Sequence, residues 1–251
     1  MSIKKSLGFF VAGLVLAISG VAQASLIIGV KYNMGNSLLP TDNVGAPGYE
    51  QPYWTMAPGG QVAQINLGGL VNLKDNTGAA TSVSVTKWTG TGNSWHDGPP
   101  LTTEQKLLSD YCANSPSVEL SGLNSFAPSG YMVVAYYDGS NATTVKLTAG
   151  AYVKSRNVAE GVLGTYTFAW HEGTDSNYHD GQKSNYTVFG TPLAPLTSDI
   201  FTVEETNGAQ GWVGGLAAFQ IVQIIPEPST FSLLGLAALG LLSRAWRRFR
   251  A

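Results

Sequence analysis

Between Ser25 and Ile225 the chain never sustains one pattern for long. Short stretches rich in β-branched and aromatic residues alternate with clusters of Gly, Asn, Asp and Pro. "LIIGVKYN", "TSVSVTKW", "SVELSGL", "YMVVAYYD", "TTVKLTAG", "YTVFG", "DIFTVEE" and "AAFQIVQII" belong to a set of a dozen such stretches. In "TSVSVTKW", Val83, Val85 and Lys87 alternate with Ser82, Ser84 and Thr86, the period of two that buries one face of a strand and wets the other. Strands of that length and spacing over about 200 residues predict an all-β class and a single β-sandwich or barrel. No stretch repeats at an interval of roughly 30–45 residues, which disfavours solenoids and propellers.

One segment reads differently. In "PPLTTEQKLLSDY", Thr102 and Gln105 have the spacing of a capping box, and Leu101, Leu107, Leu108 and Tyr111 share a helical face. A short helix in a long connection is expected there, as decoration on a β fold. The tetrapeptides "WHDG" at 95–98, "YYDG" at 136–139 and "YHDG" at 178–181 each end in Asp-Gly, which accepts the positive φ of a tight hairpin turn. They read first as strand ends entering turns, and second as loops able to present aromatic and acidic groups to a ligand.

Both ends carry targeting patterns. Lys4 and Lys5 precede the uncharged run "LGFFVAGLVLAISG", and Ala22-Gln23-Ala24 before Ser25 is a small-x-small cleavage site. Residues 1–24 are therefore expected to be a signal peptide that hands the chain to the Sec export machinery, leaving 25–225 as the body. Lys4, Lys5, Arg244, Arg247, Arg248 and Arg250 lie at the two ends, so the chain from Ser25 through Glu227 sets eight basic against 16 acidic residues, a net charge of −8. Such a surface does not neutralise phosphates, and no nucleic-acid partner is expected. Cys112 is the single cysteine, so no intramolecular disulfide can form.

Signals for chemistry are sparse. "WHEGTDSNYHDGQKSNY" gathers His171, Glu172, Asp175, His179 and Asp180, but the eight-residue His spacing fits neither a helical zinc pair nor an EF-hand loop. A solvated loop is the plain reading; the alternative is a structural Ca²⁺ on Asp175, Asp180 and backbone carbonyls, with no other cofactor expected. There is no G-x-S-x-G, no His-Glu-x-x-His and no phosphate-binding glycine loop. Glu204 and Glu205 are adjacent, so on a strand they point to opposite faces and cannot cooperate. Trp88 and Trp170 sit in strand-like runs and are expected in the core. Trp54 and Trp95 sit in loop-like sequence, where core and ligand contact are equally open; with Asp97 and Tyr178 they make up a candidate ligand surface.

The tail reads "IIPEPSTFSLLGLAALGLLSRAWRRFRA". Phe231–Leu242 is 12 residues, about 18 Å as a helix at ~1.5 Å per residue, and reaching Trp246 gives 16 residues and about 24 Å against a bilayer core of about 30 Å. The arginines at 244, 247, 248 and 250 would hold the extreme end in the cytoplasm, with residues 231–246 only transiently in the inner membrane. Taken in order, Pro226-Glu227-Pro228-Ser229, the short apolar run and the terminal arginines resemble the PEP-CTERM sorting domain of Gram-negative bacteria, here 226–251. The resemblance implies recognition and cleavage by an exosortase near the motif and delivery of the body to the cell surface or matrix, in organisms making exopolysaccharide or biofilm. "VELSGLNSFAPSGYMVVAYYDG" and "GGLAAFQIVQI" are similar in style to galactose-binding-like jelly rolls, which implies a jelly-roll-like sandwich and no particular ligand. The expected function is a non-catalytic, polysaccharide-associated surface component. The rivals are a carbohydrate-active hydrolase, needing convergent carboxylates drawn from Asp97, Glu172, Asp175 and Asp180, and a purely structural matrix protein.

Overall fold

Alternation sorts the stretch 131–137 into two sets: Tyr131, Val133, Ala135 and Tyr137 face one way, Met132, Val134 and Tyr136 the other, and all seven are buried. A strand buried on both faces must lie inside a layered body. The computed structural model describes residues 25–58, 70–94, 101–138, 143–158, 169–174, 184–206 and 215–225. Leu26–Ile224 forms one compact unit.

The strands are β1 (Ile27–Asn33), β2 (Thr55–Pro58), β3 (Ser84–Ser94), β4 (Asp110–Ser121), β5 (Tyr131–Asp138), β6 (Thr143–Ala149), β7 (Tyr152–Val158), β8 (Tyr186–Phe189), β9 (Phe201–Thr206) and β10 (Gly215–Gln223). Helix α1 (Thr103–Ser109) precedes β4, and the single turn α2 (Leu123–Phe126) follows it. Pairing runs β2-β1-β10-β5-β8 in one five-stranded sheet and β3-β4-β9-β6-β7 in a second, and Leu216 opposite Cys112 joins them. All pairs are antiparallel except β1 with β2. Without the outer strands β2 and β3, the orders β1-β10-β5-β8 and β4-β9-β6-β7 are those of a double-sheet jelly roll. The fold is all-β, as the period-two pattern predicts.

The main core fills the space between the sheets. Val30, Tyr32, Phe189, Phe219 and Ile221 meet Trp88, Leu120, Leu147, Phe201 and Val203. Trp88 is fully buried, with its rings 5.5 Å from Tyr32 and 5.7 Å from Phe219, so the expectation of core burial holds. A second apolar layer covers the other face of the first sheet: Leu38, Val44, Ala46 and Trp54 from the connection after β1, and Leu107 and Leu108 from α1, pack on Val134, Tyr136 and Ala218. The capping box at the start of α1 is complete, the Thr102 amide donating to Gln105 Oε1 (2.9 Å) and the Gln105 amide to Thr102 Oγ1 (3.2 Å).

The structure corrects three local expectations. Tyr111 is not on the helix; α1 stops at Ser109, and the chain turns extended at Asp110, whose carboxylate is held by partners outside the helix. "LVNLKD" at 70–75, another of the dozen strand-like stretches, makes only isolated bridges, Leu70 with Val85, Lys74 with Ala80 and Asp75 with Ile28, because Asn72 adopts φ +54° and breaks the strand. Conversely β2, four residues ending in Pro58, forms as a parallel edge that the sequence pattern does not announce. Tyr136 and Tyr137 of "YYDG" close β5 as a strand end, while "WHDG", "YHDG" and a further strand-like stretch of the dozen, "GQVAQINLG" at 60–68, lie outside the described residues. Among the described residues no helix is long and apolar enough to cross a membrane; residues 231–246 lie outside them.

Candidate functional site

A groove of about 350 Å³ opens beside β2, at the edge of the first sheet. Its walls come from the residues that lead into β2 and from the interrupted stretch 70–74, including Tyr53, Trp54, Val71, Asn72 and Lys74. The local chain explains the arrangement. Trp54 is turned inward and is 7% exposed; its indole N–H donates to the carbonyls of Val44 and Gln51, both at 3.2 Å, and its ring meets Tyr136 edge-on at 6.0 Å. Gly29 on β1 makes room for it: a Cβ there would overlap the Gln51 amide and stand 2.8 Å from the Trp54 ring. The Gln51 amide, turned so that its nitrogen donates to the Ile27 carbonyl (2.8 Å) and its oxygen accepts from the Gly29 N–H (2.7 Å), stands in for a strand where β2 has not yet begun.

With Trp54 inside, Tyr53 is left facing out, 39% exposed, in the left-handed region at φ +60°. A bulky aromatic residue rarely adopts that conformation. Asn72, on the facing wall, has φ +54°, so two of the three described non-glycine residues with positive φ line one groove. Behind Tyr53 the turn 75–79 is rigid: buried Asp75 accepts from the Thr77 amide (2.9 Å), the Thr77 hydroxyl (2.6 Å) and the Ala79 amide (3.1 Å). The groove thus offers an exposed ring, the edge of a second ring, an apolar wall, an amide and an ammonium, held on braced backbone.

The buried polar groups of the described residues are structural. Lys31 and Asp110 form a fully buried ion pair at 3.4 Å, with Lys31 also donating to the Tyr32 carbonyl at 2.8 Å. Asp110 further accepts from the Met34 and Asn36 amides (2.8 and 2.9 Å), Asn36 Nδ2 (2.8 Å) and the Ser94 hydroxyl (2.7 Å). Burial lowers the Lys31 amine to about 8 despite its partner. Burial pushes the Asp110 carboxyl upward, but Lys31 and the hydrogen bonds from Ser94 and the Met34 and Asn36 amides outweigh it and hold it below its ordinary value. Tyr136 donates to Gln220 Oε1 and accepts from the Ala46 amide (2.9 Å), and Gln220 donates to the Tyr49 carbonyl (2.7 Å), which pins the loop bearing Trp54 onto the sheet.

The residues singled out in the sequence fare differently. Trp54 serves the core and one wall of the groove. Trp95, Asp97, Tyr178, Asp175 and Asp180 lie outside the described residues, as do Ala22, Ala24, Pro226, Glu227, Pro228, Ser229 and the arginines at 244, 247, 248 and 250; Ser25 is described, just before β1. Trp170 is half-buried, its ring 5.5 Å from Tyr136 and 5.9 Å from Tyr186. His171 and Glu172 are exposed, and among the described residues no three His, Cys, Asp or Glu side chains gather as for a metal. Glu204 pairs with Lys146 at 3.5 Å while Glu205 is buried, the opposite faces that strand geometry requires. Cys112 donates to the Thr89 carbonyl (3.5 Å), and burial pushes its thiol up to about 12, away from reactivity. Tyr53 and Asn72 are absent from the sequence-based candidates; the one signal for them is the neighbouring pair Tyr53-Trp54, of which a strand entry can bury only one.

Comparison with known proteins places a single landmark on this chain. No curated protein and no solved structure matches it. The family model for the PEP-CTERM protein-sorting motif matches residues 225–248, directly after β10. The chain is an exported protein that carries a C-terminal sorting signal for exosortase.

Proposed function

We propose that the exported body is a non-catalytic, polysaccharide-associated component of the cell surface or extracellular matrix, with sugar rings stacking in the Tyr53–Trp54 groove. The observation that carries this reading is the strained, solvent-facing Tyr53 beside Trp54 and Asn72. Backbone strain of this kind costs about 1–3 kcal/mol and persists where the surroundings enforce it, commonly at binding sites. An exposed flat ring offers apolar contact to a pyranose face, and the Asn72 amide and Lys74 ammonium suit its hydroxyls. The resemblance of "VELSGLNSFAPSGYMVVAYYDG" and "GGLAAFQIVQI" to galactose-binding-like jelly rolls agrees with this reading and transfers no binding residue.

Three of the described acidic and nucleophilic groups support binding rather than turnover. Glu204 is engaged by Lys146, Glu205 faces inward, and the Cys112 thiol is held protonated, so none of them faces the groove as an acid, base or nucleophile. The test is retention of the exported protein on cellulose and on a soluble neutral glucan. Wild type should be retained, and Tyr53→Ala should weaken retention about tenfold, the loss of about 1.4 kcal/mol of stacking. Absence of binding to every neutral and acidic polysaccharide tried would overturn the polysaccharide reading, and hydrolysis of chromogenic glycosides would overturn the non-catalytic one.

A further inference from the structure

The inward register of β7 breaks the rule that builds the rest of the sandwich. Tyr152, Lys154 and Arg156 stand opposite Ala149, Leu147 and Val145 of β6, all three of which are core residues. Residues directly opposite in a ladder share a face, so Tyr152, Lys154 and Arg156 lie on the core side of the second sheet. Among the described residues the first sheet ends at β8, only four residues long, and leaves that side of β7 uncovered. A cleft of about 330 Å³ opens there, bordered by Tyr152, Lys154 and Arg156 on one side and by Tyr49, Glu172 and Val188 among the residues on the other.

Charge and aromatic faces are arranged in a row. Alternate residues on a strand repeat at about 7 Å, so the two cations follow the Tyr152 ring along one line. Lys154 Nζ lies 5.9 Å from the centre of that ring, and the Tyr152 hydroxyl accepts from the Gly190 amide at 3.3 Å, which fixes the ring in place. Lys146, one strand over, has its carboxylate partner Glu204; among the described residues neither Lys154 nor Arg156 has a carboxylate within ion-pair distance. In a stretch of net charge −8 from Ser25 through Glu227, two cations with no carboxylate partner among the described residues, beside two tyrosine rings, are a local reversal of sign.

We propose that this flank is a second binding site, for a carboxylated polysaccharide of the uronic-acid class: carboxylates on Lys154 and Arg156, a sugar ring against Tyr152, and hydroxyls on Glu172. Glu172 and the acidic body disfavour densely charged chains such as polyphosphate, whereas a glycan with one carboxylate per sugar and hydroxyls between them matches both charges of the cleft. The inference rests on the polysaccharide reading above and adds to it a polymer class and a separate surface.

Affinity electrophoresis of the exported protein through gels containing polygalacturonate, its methyl ester, polyphosphate or neutral glucan tests it. Wild type should be retarded by polygalacturonate. The double variant Lys154→Gln/Arg156→Gln should bind about tenfold more weakly, as should wild type in the methyl ester, and retardation should fall as salt is raised. Tyr53→Ala should leave polygalacturonate binding unchanged, and the double variant should leave neutral glucan binding unchanged. A double variant that melts like wild type yet binds polygalacturonate equally well would overturn the assignment, as would equal retardation by polyphosphate or a dimer lost in the double variant. Loss of acidic binding with neutral binding retained in wild type would refute this site alone, whereas failure in every gel would refute the polysaccharide reading with it.

Discussion

At the scale of single residues the molecule concentrates its unusual conformations where the edge of the first sheet meets the loop before β2. Tyr53 is held at φ +60° because Trp54 has taken the inward position, and a left-handed non-glycine residue costs about 1–2 kcal/mol. Tyr53→Gly should therefore raise unfolding free energy by about 1 kcal/mol in urea titrations while removing neutral-glycan retention, a trade of stability for binding that a purely structural residue would not give. Gly29 holds the opposite kind of constraint. A methyl group there collides with the Gln51 amide and the Trp54 ring, so Gly29→Ala should destabilise by about 2 kcal/mol and lower the melting temperature, although Ala has no difficulty with a strand backbone. Neither residue could be singled out from the sequence, since each depends on what a distant part of the chain places above it.

At the scale of elements the local code was largely readable. "YMVVAYYD" coincides with β5 and "TTVKLTA" with β6, because these strands carry β-branched and aromatic residues over their full length and end at turn formers. The capping box predicted from Thr102 and Gln105 is present, and Thr102→Ala should cost about 1 kcal/mol, read as a lower urea midpoint with an unchanged slope. Elements failed to show in the sequence where a tertiary partner overrode propensity. The stretch after α1 reads as helix through Tyr111, yet Lys31, Ser94 and the Met34 and Asn36 amides hold Asp110 at the start of β4. β2 exists only because β1 offers it an edge. The row Tyr152–Lys154–Arg156 looks like an ordinary solvated face of an amphipathic strand, and its place on the core side emerges only from its pairing with β6.

At the scale of the whole molecule, burial of titratable groups sets how stability varies with pH. Lys31 has a folded value of about 8 against 10.5 in the unfolded chain, so from pH 8 upward the unfolded chain holds a proton that the folded chain releases, and stability rises. Cys112 runs the other way: from pH 9 the unfolded thiol loses a proton that the folded one keeps up to about 12, which offsets the gain. Above pH 10 burial keeps Tyr131, Tyr136 and Tyr137 protonated in the fold while their unfolded counterparts ionise, and stability falls. Melts at half-unit steps should show a rise from pH 8 to 9, a plateau to about 10 and a decline beyond it; Lys31→Met should abolish the rise, and a profile falling steadily from pH 8 in wild type would contradict this balance. The sequence alone determined the all-β class, most strand positions, the capped helix and the C-terminal sorting signal, because period, turn chemistry and a linear motif are encoded by neighbours in the chain. Tertiary structure alone decided which strands pair, that Trp54 goes in and Tyr53 out, and that three polar residues of β7 line an open flank. Those outcomes depend on contacts between segments tens of residues apart, and one residue's alternation pattern is the same whether the layer above it is present or missing.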